Sequence, residues 1–428
     1  MKHPFKKLTA LLCAALMLAS LLPVQAMAAE KPTLYGVLQR GNPLYPASCA
    51  DDFTYITSDA PALLMDSSVF NDDLPRFATA EEAGAYVRAA LKARDDGVVF
   101  FYTDIPESGP FLDLTEKEAD PSTFTDEEWY DYKTEEQILL QRSFGKYLDS
   151  LLTELLDDAS RHDPTDPTGG DYLLYQFGSY AAEAAYRGGL FALEIHFTYY
   201  TTAAQETDVD KATADLIEYL ALTGKTDYER LTAIYSWICE KVKYDNGNLD
   251  DEAYTLKYTA YAALVNKTAV CQGYAVLLYR LALMAGIETR VVTGTANGGG
   301  HAWNIVKLDG KWYHVDATWD AGRATPSYYL LPDFTDHTLN TDGQAVVSQY
   351  PMATTAYTYA EPVSGDLNGG GVSVTDVQLL YTYLTTGSTG ASTLSPNDFF
   401  AAADVNGDKS VDVYDLQWLY EVVSTKRT

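Results

Sequence analysis

The chain has 428 residues, more than one hydrophobic core ordinarily spans, so two or three domains are expected. Hydrophobic residues make up 47% and charged residues 21%, enough apolar material for packed cores. The formal net charge of −30 opposes binding to nucleic acid or to an anionic membrane surface, and it supplies carboxylates for a hard cation.

At the N-terminus, Lys2, Lys6 and Lys7 precede an apolar stretch over residues 8–22 and the small-x-small run Ala26-Met27-Ala28, the pattern of an export signal occupying residues 1–28. The apolar run is short for a membrane span and no other long one follows, so a secreted chain is expected. Cys13 lacks the small residue that precedes a lipidated cysteine. Beyond the signal stand Cys49, Cys239 and Cys271, an odd number that leaves at least one free thiol. A Cys49–Cys239 bridge and two buried thiols both fit the sequence.

Residues 29–205 read as an α/β domain. Thr79-Ala80-Glu81-Glu82 is a capping box that opens a helix reaching about Arg94. An apolar strand follows at 98–102, and leucines at helical spacing mark a second helix over 135–160. Residues 162–170 form a Pro/Asp/Gly loop, and 190–202 a strand. His162 falls in a solvated turn and His196 in a strand, neither with the spacing of a metal or nucleophile site.

Residues 206–350 form a second domain. Helices are expected over 209–222, over 226–243 from the capping box Thr226-Asp227-Tyr228-Glu229, and from Cys271 to Ala285, where Gly286 stops the last. Tyr274, Leu277, Leu278, Leu281 and Met284 give this third helix an apolar face. Strands follow at 288–295, 301–308 and 311–319. Residues 351–364 read as a linker. Residues 365–428 carry two loop-helix repeats, opened by Asp366-Leu367-Asn368-Gly369-Gly370-Gly371 and by Asp404-Val405-Asn406-Gly407-Asp408-Lys409.

The second repeat has the oxygen ligands of a calcium loop: Asp404, Asn406 and Asp408 at positions one, three and five, the Ser410 carbonyl at seven, and Asp415 at twelve. Lys409 stands at position six, where glycine is usual, which implies a strained turn. The first repeat has Asp366 and Asn368, but Gly370 replaces the third ligand and Asp376 arrives one residue early.

A cysteine nucleophile needs a thiolate, a base and a group that orients the base. Cys271 opens a helix, whose unpaired N–H groups and dipole favour a thiolate and an oxyanion. Asp309-Gly310 signals a two-residue type I′ hairpin. Extending its register makes Trp303 face Asp316 and His301 face Thr318, which puts His301 and Asp316 on one side of the sheet as diagonal neighbours. His314 shares that side, but only His301 follows a glycine loop, Asn297-Gly298-Gly299-Gly300, with room for a substrate. Cys239, among Ile234, Trp237 and Ile238, reads as a core residue.

The runs Ala269-Val270-Cys271-Gln272-Gly273-Tyr274-Ala275, Gly300-His301-Ala302-Trp303-Asn304 and Trp312-Tyr313-His314-Val315-Asp316-Ala317-Thr318-Trp319-Asp320 resemble the transglutaminase-like superfamily over about residues 210–330. Tyr235-Ser236-Trp237-Ile238 and Tyr244-Asp245 are similar to the segment that precedes its nucleophile. The resemblance implies a papain-like α+β core with Cys271 as nucleophile, His301 as base and Asp316 as orienter. It implies acyl transfer through a thioester on a protein or peptide substrate, with no cofactor for catalysis. Hydrolysis of peptide or glutamine-type amide bonds is the expectation, with protein cross-linking and a non-catalytic protein- or glycan-binding role as alternatives. The C-terminal repeats resemble a type I dockerin, a small all-α calcium-binding module. That implies docking onto a cohesin of a scaffolding protein, as in the cellulosome-type assemblies that anaerobic bacteria use to break down polysaccharides.

Overall fold

The computed structural model describes residues 34–41, 53–54, 74–103, 122, 135–187 and 190–425, and for 34–41, 53–54, 135–141, 185–187 and 190 the backbone alone. The expected export signal and Cys49 lie outside the described residues. The chain divides into two compact units, one of residues up to 161 with 177–199, the other of 162–176 with 200–428.

The first unit is a six-stranded sheet built from β1 (Leu34–Gly41), β2 (Phe53–Thr54), β3 (Arg76–Phe77), β4 (Gly97–Tyr102), β5 (Phe177–Arg187) and β6 (Leu190–Tyr199), with helices α1 (Ala80–Ala93) and α2 (Glu135–Ala159). The strand order is β2-β1-β5-β6-β4-β3. Among its described strands only β3 and β4 run parallel, so this sheet is mainly antiparallel with added helices rather than alternating α/β units. Thr79 caps α1 by accepting from the Glu82 N–H, as the sequence predicts. Leu148, Leu151, Leu152 and Leu155 bury the leucine face of α2.

The expected boundary at residue 205 shifts, because residues 162–176 belong to the second unit. Their short helix α3 (Asp171–Leu174) brings Asp171, which pairs with Arg290 at 2.8 Å. His162 is half-buried rather than solvated, with Nδ1 2.9 Å from the Tyr279 hydroxyl. Burial and the nearby Arg290 cation hold its pKa below the usual imidazole range.

The second unit contains α4 (Ala203–Leu220), α5 (Asp227–Lys241), a two-stranded ribbon of β7 (Lys243–Tyr244) and β8 (Thr268–Ala269), and α6 (Cys271–Met284). A four-stranded antiparallel sheet follows, formed by β9 (Thr289–Ala296), β10 (Gly299–Leu308), β11 (Lys311–Val315) and β12 (His337–Leu339) in the order β11-β10-β9-β12. Thr226 and Glu229 cap α5 reciprocally. The sequence gives α6 one apolar face, yet every residue from Cys271 to Leu283 is buried. Its polar residues are only partly satisfied: the Gln272 amide nitrogen donates to the Tyr175 carbonyl and the Arg280 guanidinium pairs with Asp210, whereas Gln272 Oε1 and Arg280 Nε have no hydrogen-bond partner among the described residues; from β10, the Asn304 amide donates to the Ala275 carbonyl.

The Asp309-Gly310 turn has φ of 49° and 72°, as a type I′ hairpin requires, and Leu308 pairs with Lys311 as predicted. The register ends at Asn304–Val315, so the expected strand to residue 319 is cut short. The cause is Asp316 itself. Its Oδ1 accepts from the Thr318 and Trp319 N–H groups at 2.8 and 3.2 Å, which turns the chain out of the sheet. Asn297 and Gly298 likewise form a tight hairpin turn at φ of 52° and 77°, so Gly299 and Gly300 lie within β10, where a loop was expected.

After the short helix α7 (Thr341–Val347), the expected linker is not a free tether. The Ala353 N–H donates to the Trp312 carbonyl, and Tyr359 stacks on Tyr228 with ring centres 4.2 Å apart. The C-terminal module comprises α8 (Val374–Thr386), α9 (Pro396–Ala403) and α10 (Val413–Thr425) around Leu367, Leu380, Phe399 and Leu419.

Candidate active site

Three local features place Cys271. The β8 strand leads straight into α6, whose N-cap is Val270, and no side chain caps the first turn. The donors of that turn are therefore unclaimed by a side-chain cap. A Cβ on Gly273 would sit 2.6 Å from the Ala269 Cβ and 3.0 Å from the Thr259 carbonyl, so only glycine lets the helix start pack this closely. The neighbouring loop is held by Lys257, fully buried, whose Nζ donates to the Asn248, Leu249 and Asp251 carbonyls.

His301 lies near the start of β10. Its Nε2 donates to Asp316 Oδ2 at 2.7 Å, which leaves Nδ1 for the Cys271 thiol. Burial lowers the basicity of His301, but the hydrogen bonds with Asp316 and Cys271 outweigh it and raise the pKa to about 10. Asp316 is 1% exposed; burial would raise its pKa, yet the bonds from His301 and His337 hold it below the usual carboxylate range. The side chains of His301 and Asp316 thus form a charged, desolvated pair. Cys271, at the helix start, is 6% exposed.

His314 faces the same side and plays a different part. Its Nδ1 accepts from Trp303 Nε1 at 2.9 Å, and burial pushes its pKa down to about 4. A ring nitrogen that accepts a hydrogen bond carries no proton, so His314 is a neutral packing residue. Cys239 is also inert: burial, with Asp320 and Asp316 nearby, pushes its pKa up to about 12, and its thiol meets the Ala317 carbonyl at 3.6 Å. Cys239 and Cys271 are both free thiols, so Cys239 is in no bridge.

The structure gives a place in the site to residues for which the sequence offered no role. His337 Nε2 donates to Asp316 Oδ2 at 3.1 Å, opposite His301. Among the described residues, His301, Asp316 and His337 are the one group of three His, Cys, Asp or Glu side chains whose metal-ligating atoms lie within 4.8 Å of one another. Tyr244 and Tyr258 lie near Cys271; burial, then the Cys271 thiol, raises the pKa of each and keeps it neutral. Asp320 shapes the turn after Asp316 by accepting from the Tyr235 hydroxyl and from the Ser327 and Tyr328 N–H groups. His337 follows Asp316 by 21 positions in a polar stretch without periodicity, so no sequence signal marked it.

In the C-terminal repeats the two loops share one hydrogen-bond plan despite their different lengths. Asp366 Oδ2 accepts from the Gly371 N–H, and Asp404 Oδ2 from the Lys409 N–H, both at 2.8 Å. Asp376 Oδ1 accepts from the Leu367 N–H and Asp415 Oδ1 from the Val405 N–H. Asp376, one residue early by count, therefore reaches the position of Asp415. Lys409 adopts φ of 69°, the strained conformation expected of a non-glycine residue there.

Residues 214–317 match the model of the transglutaminase-like superfamily, and residues 364–423 match that of the type I dockerin domain. The chain carries a transglutaminase-like domain and a dockerin domain. The transglutaminase-like domain holds Cys271, His301 and Asp316, and the dockerin domain holds both acidic loops. Among curated proteins, the human kyphoscoliosis peptidase is 31% identical over 136 residues, which cover 29% of this chain and 20% of the relative. The Mus musculus protein of the same name is 32% identical over 133 residues, 28% of this chain and 20% of the relative. The match thus spans about a fifth of those relatives. Among solved structures, a TGase superposes at TM-score 0.26 with 22% identity, over 32% of this chain and 43% of the other. A candidate cysteine protease from Cytophaga hutchinsonii gives 0.21 and 19%, over 33% of this chain and 57% of the other.

Proposed function

We propose that this chain is an extracellular cysteine hydrolase that cuts peptide or glutamine-type amide bonds through a thioester and is held on a scaffold by its dockerin domain. The observation that carries the reading is the buried His301–Asp316 bond of 2.7 Å, with the other ring nitrogen directed to a cysteine at an uncapped helix start.

The Cys271 thiolate attacks the carbonyl carbon, and the first-turn N–H groups of α6 receive the oxyanion. The His301 imidazolium protonates the leaving amine, which departs and leaves the acyl group on sulfur. Water then attacks the thioester while His301 takes its proton. The acid is released and the thiolate-imidazolium pair returns. Asp316 keeps His301 in the tautomer with hydrogen on Nε2 throughout.

Calcium suits the oxygen set of the second loop, where Asp404, Asn406, Asp408, the Ser410 carbonyl and Asp415 would hold it. Their oxygens are already positioned by loop N–H groups, as with Asp408 Oδ1 accepting from Ser410 at 2.8 Å. The first loop offers Asp366, Asn368 and Asp376 and is a weaker site, because Gly370 brings no ligand. Bound calcium would neutralise the loops and hold α8 and α10 in place. Those helices present a shallow apolar groove in which Val374, Val377 and Tyr381 of one repeat mirror Val413, Leu416 and Tyr420 of the other. Tyr381 and Tyr420 are 58% and 62% exposed, which supports this face as the one that meets a cohesin.

The test is incubation of the protein, and of Cys271→Ala, with glutamine-containing peptides, with and without a primary amine. Release of ammonia or new peptide ends that depends on Cys271 is the expected result. Amine incorporation exceeding hydrolysis would replace hydrolysis with cross-linking. No Cys271-dependent product, together with a Cys271 no more reactive than a denatured thiol, would leave a non-catalytic binding role.

A further inference from the structure

His337 is absent from every motif of the site, yet it touches the carboxylate on which the site depends. Its strand, β12, pairs with β9 through His337–Ala296, Thr338–Thr295 and Leu339–Gly294. That approach depends on Gly294, where a Cβ would lie 2.0 Å from the Thr338 carbonyl oxygen. The close strand delivers the His337 side chain, 1% exposed, onto Asp316.

We infer that His337 is a positioning residue for the acyl-transfer site: its Nε2–H fixes the Asp316 carboxylate against His301, and Asp336 fixes His337 from the solvent side. This rests on the function proposed above. Asp316 Oδ2 receives His301 Nε2 at 2.7 Å and His337 Nε2 at 3.1 Å, while Oδ1 is taken by the Thr318 and Trp319 N–H groups. All four bonds together leave the carboxylate one orientation. His337 Nδ1 meets Asp336 Oδ1 at 2.8 Å, and Asp336, 40% exposed, also accepts from the Tyr328 hydroxyl at 2.6 Å. The Tyr328 hydroxyl bond, with that of His337, holds the Asp336 carboxyl below the usual range, so the outer partner is an acceptor. The remaining walls are aromatic: Trp319, Phe334, Trp303 and Tyr328 lie 4.6 to 5.7 Å from the His337 ring. The titratable groups that face His337 are therefore Asp316, Asp336, His301 and Tyr328. A histidine needed only for packing would require neither carboxylate.

The amide of glutamine reproduces imidazole Nε2, whereas the shorter asparagine amide reproduces Nδ1. His337→Gln keeps the donor to Asp316, and His337→Asn loses it, although both remove the ring. The rate of Cys271 alkylation by iodoacetamide is measured from pH 4 to 9 on the full chain, with melting temperatures alongside. We expect His337→Gln to stay within about 3-fold of the native rate, and His337→Asn to fall at least about 10-fold at pH 6 with its acid limb moved to higher pH. His337→Phe, which fills the aromatic cage, should behave like His337→Asn. Equal rates and equal profiles for the Gln and Asn variants overturn the inference, as does a folded Phe variant with the native profile. Slow alkylation of the native protein itself would strike at the proposed enzyme function instead, so the two failures are distinct.

Discussion

Asp316 and Asp415 are both buried carboxylates that collect N–H donors, and the contrast between their surroundings separates the two ends of the second unit. Asp415 is served by the backbone, from Val405 and Asn406 on one oxygen and Asp412 on the other. Those donors cannot change charge, so the carboxylate closes a loop and keeps lone pairs for the proposed calcium. Two of the donors to Asp316 are imidazoles from different strands. Its environment can therefore gain or lose a proton, as the proposed acyl transfer demands. Similar burial supports a fixed scaffold in one place and proton chemistry in the other.

Mutating both ends breaks the comparison most directly. Cys271→Ala should lower peptide or amide turnover at least about 1,000-fold, and Asp316→Asn about 100- to 10,000-fold, because the wrong tautomer of His301 then faces sulfur. Both are checked by steady-state kinetics beside a cohesin-binding assay, which neither should change. Next in size are the dockerin loops. Asp415→Ala strands buried N–H groups and should cost the module about 1–3 kcal/mol, read by calorimetry with and without EDTA. It should abolish calcium-dependent cohesin binding and leave Cys271 alkylation unchanged.

The two imidazoles on one face of the hairpin sharpen the contrast through pH. His301 has a folded pKa of about 10, so its contribution to stability is complete below pH 6.5 and is lost as pH rises through about 10. His314 is depressed to about 4, so its contribution is complete above pH 6.5 and fades as pH falls towards 4. Melting temperatures across pH should show both edges. His314→Asn, which keeps an acceptor for Trp303, should remove up to about 3 kcal/mol of the acid loss. The smallest effect concerns Lys409 at φ of 69°. Lys409→Gly should relieve about 0.5–1 kcal/mol of strain, seen as a small rise in the melting temperature of the calcium-loaded module.

Much of this was legible in the order of residues. The helix starts at Thr79 and Thr226 followed from capping chemistry, the Asp309-Gly310 turn from its dipeptide, and the loop-helix repeats from their spacing. All are local, with partners within about a dozen positions, and local geometry is what sequence encodes most directly. The pairing of His301 with Asp316 was reachable too, because a hairpin converts separation along the chain into distance across a sheet. The same extrapolation failed beyond Val315, where the Asp316 side chain captured the backbone N–H groups that follow it.

Tertiary structure alone decided the rest. Burial of α6 on every side, the transfer of residues 162–176 to the second unit, and the arrival of β12 beside β9 each depend on segments that no period or short motif connects. The sequence by itself determined which residues have the chemistry and which turns present them. The fold decided which of them share a desolvated space, because hydrogen bonds and packing act on distances through the interior, and a histidine 21 residues past a carboxylate meets it only when the intervening chain folds back.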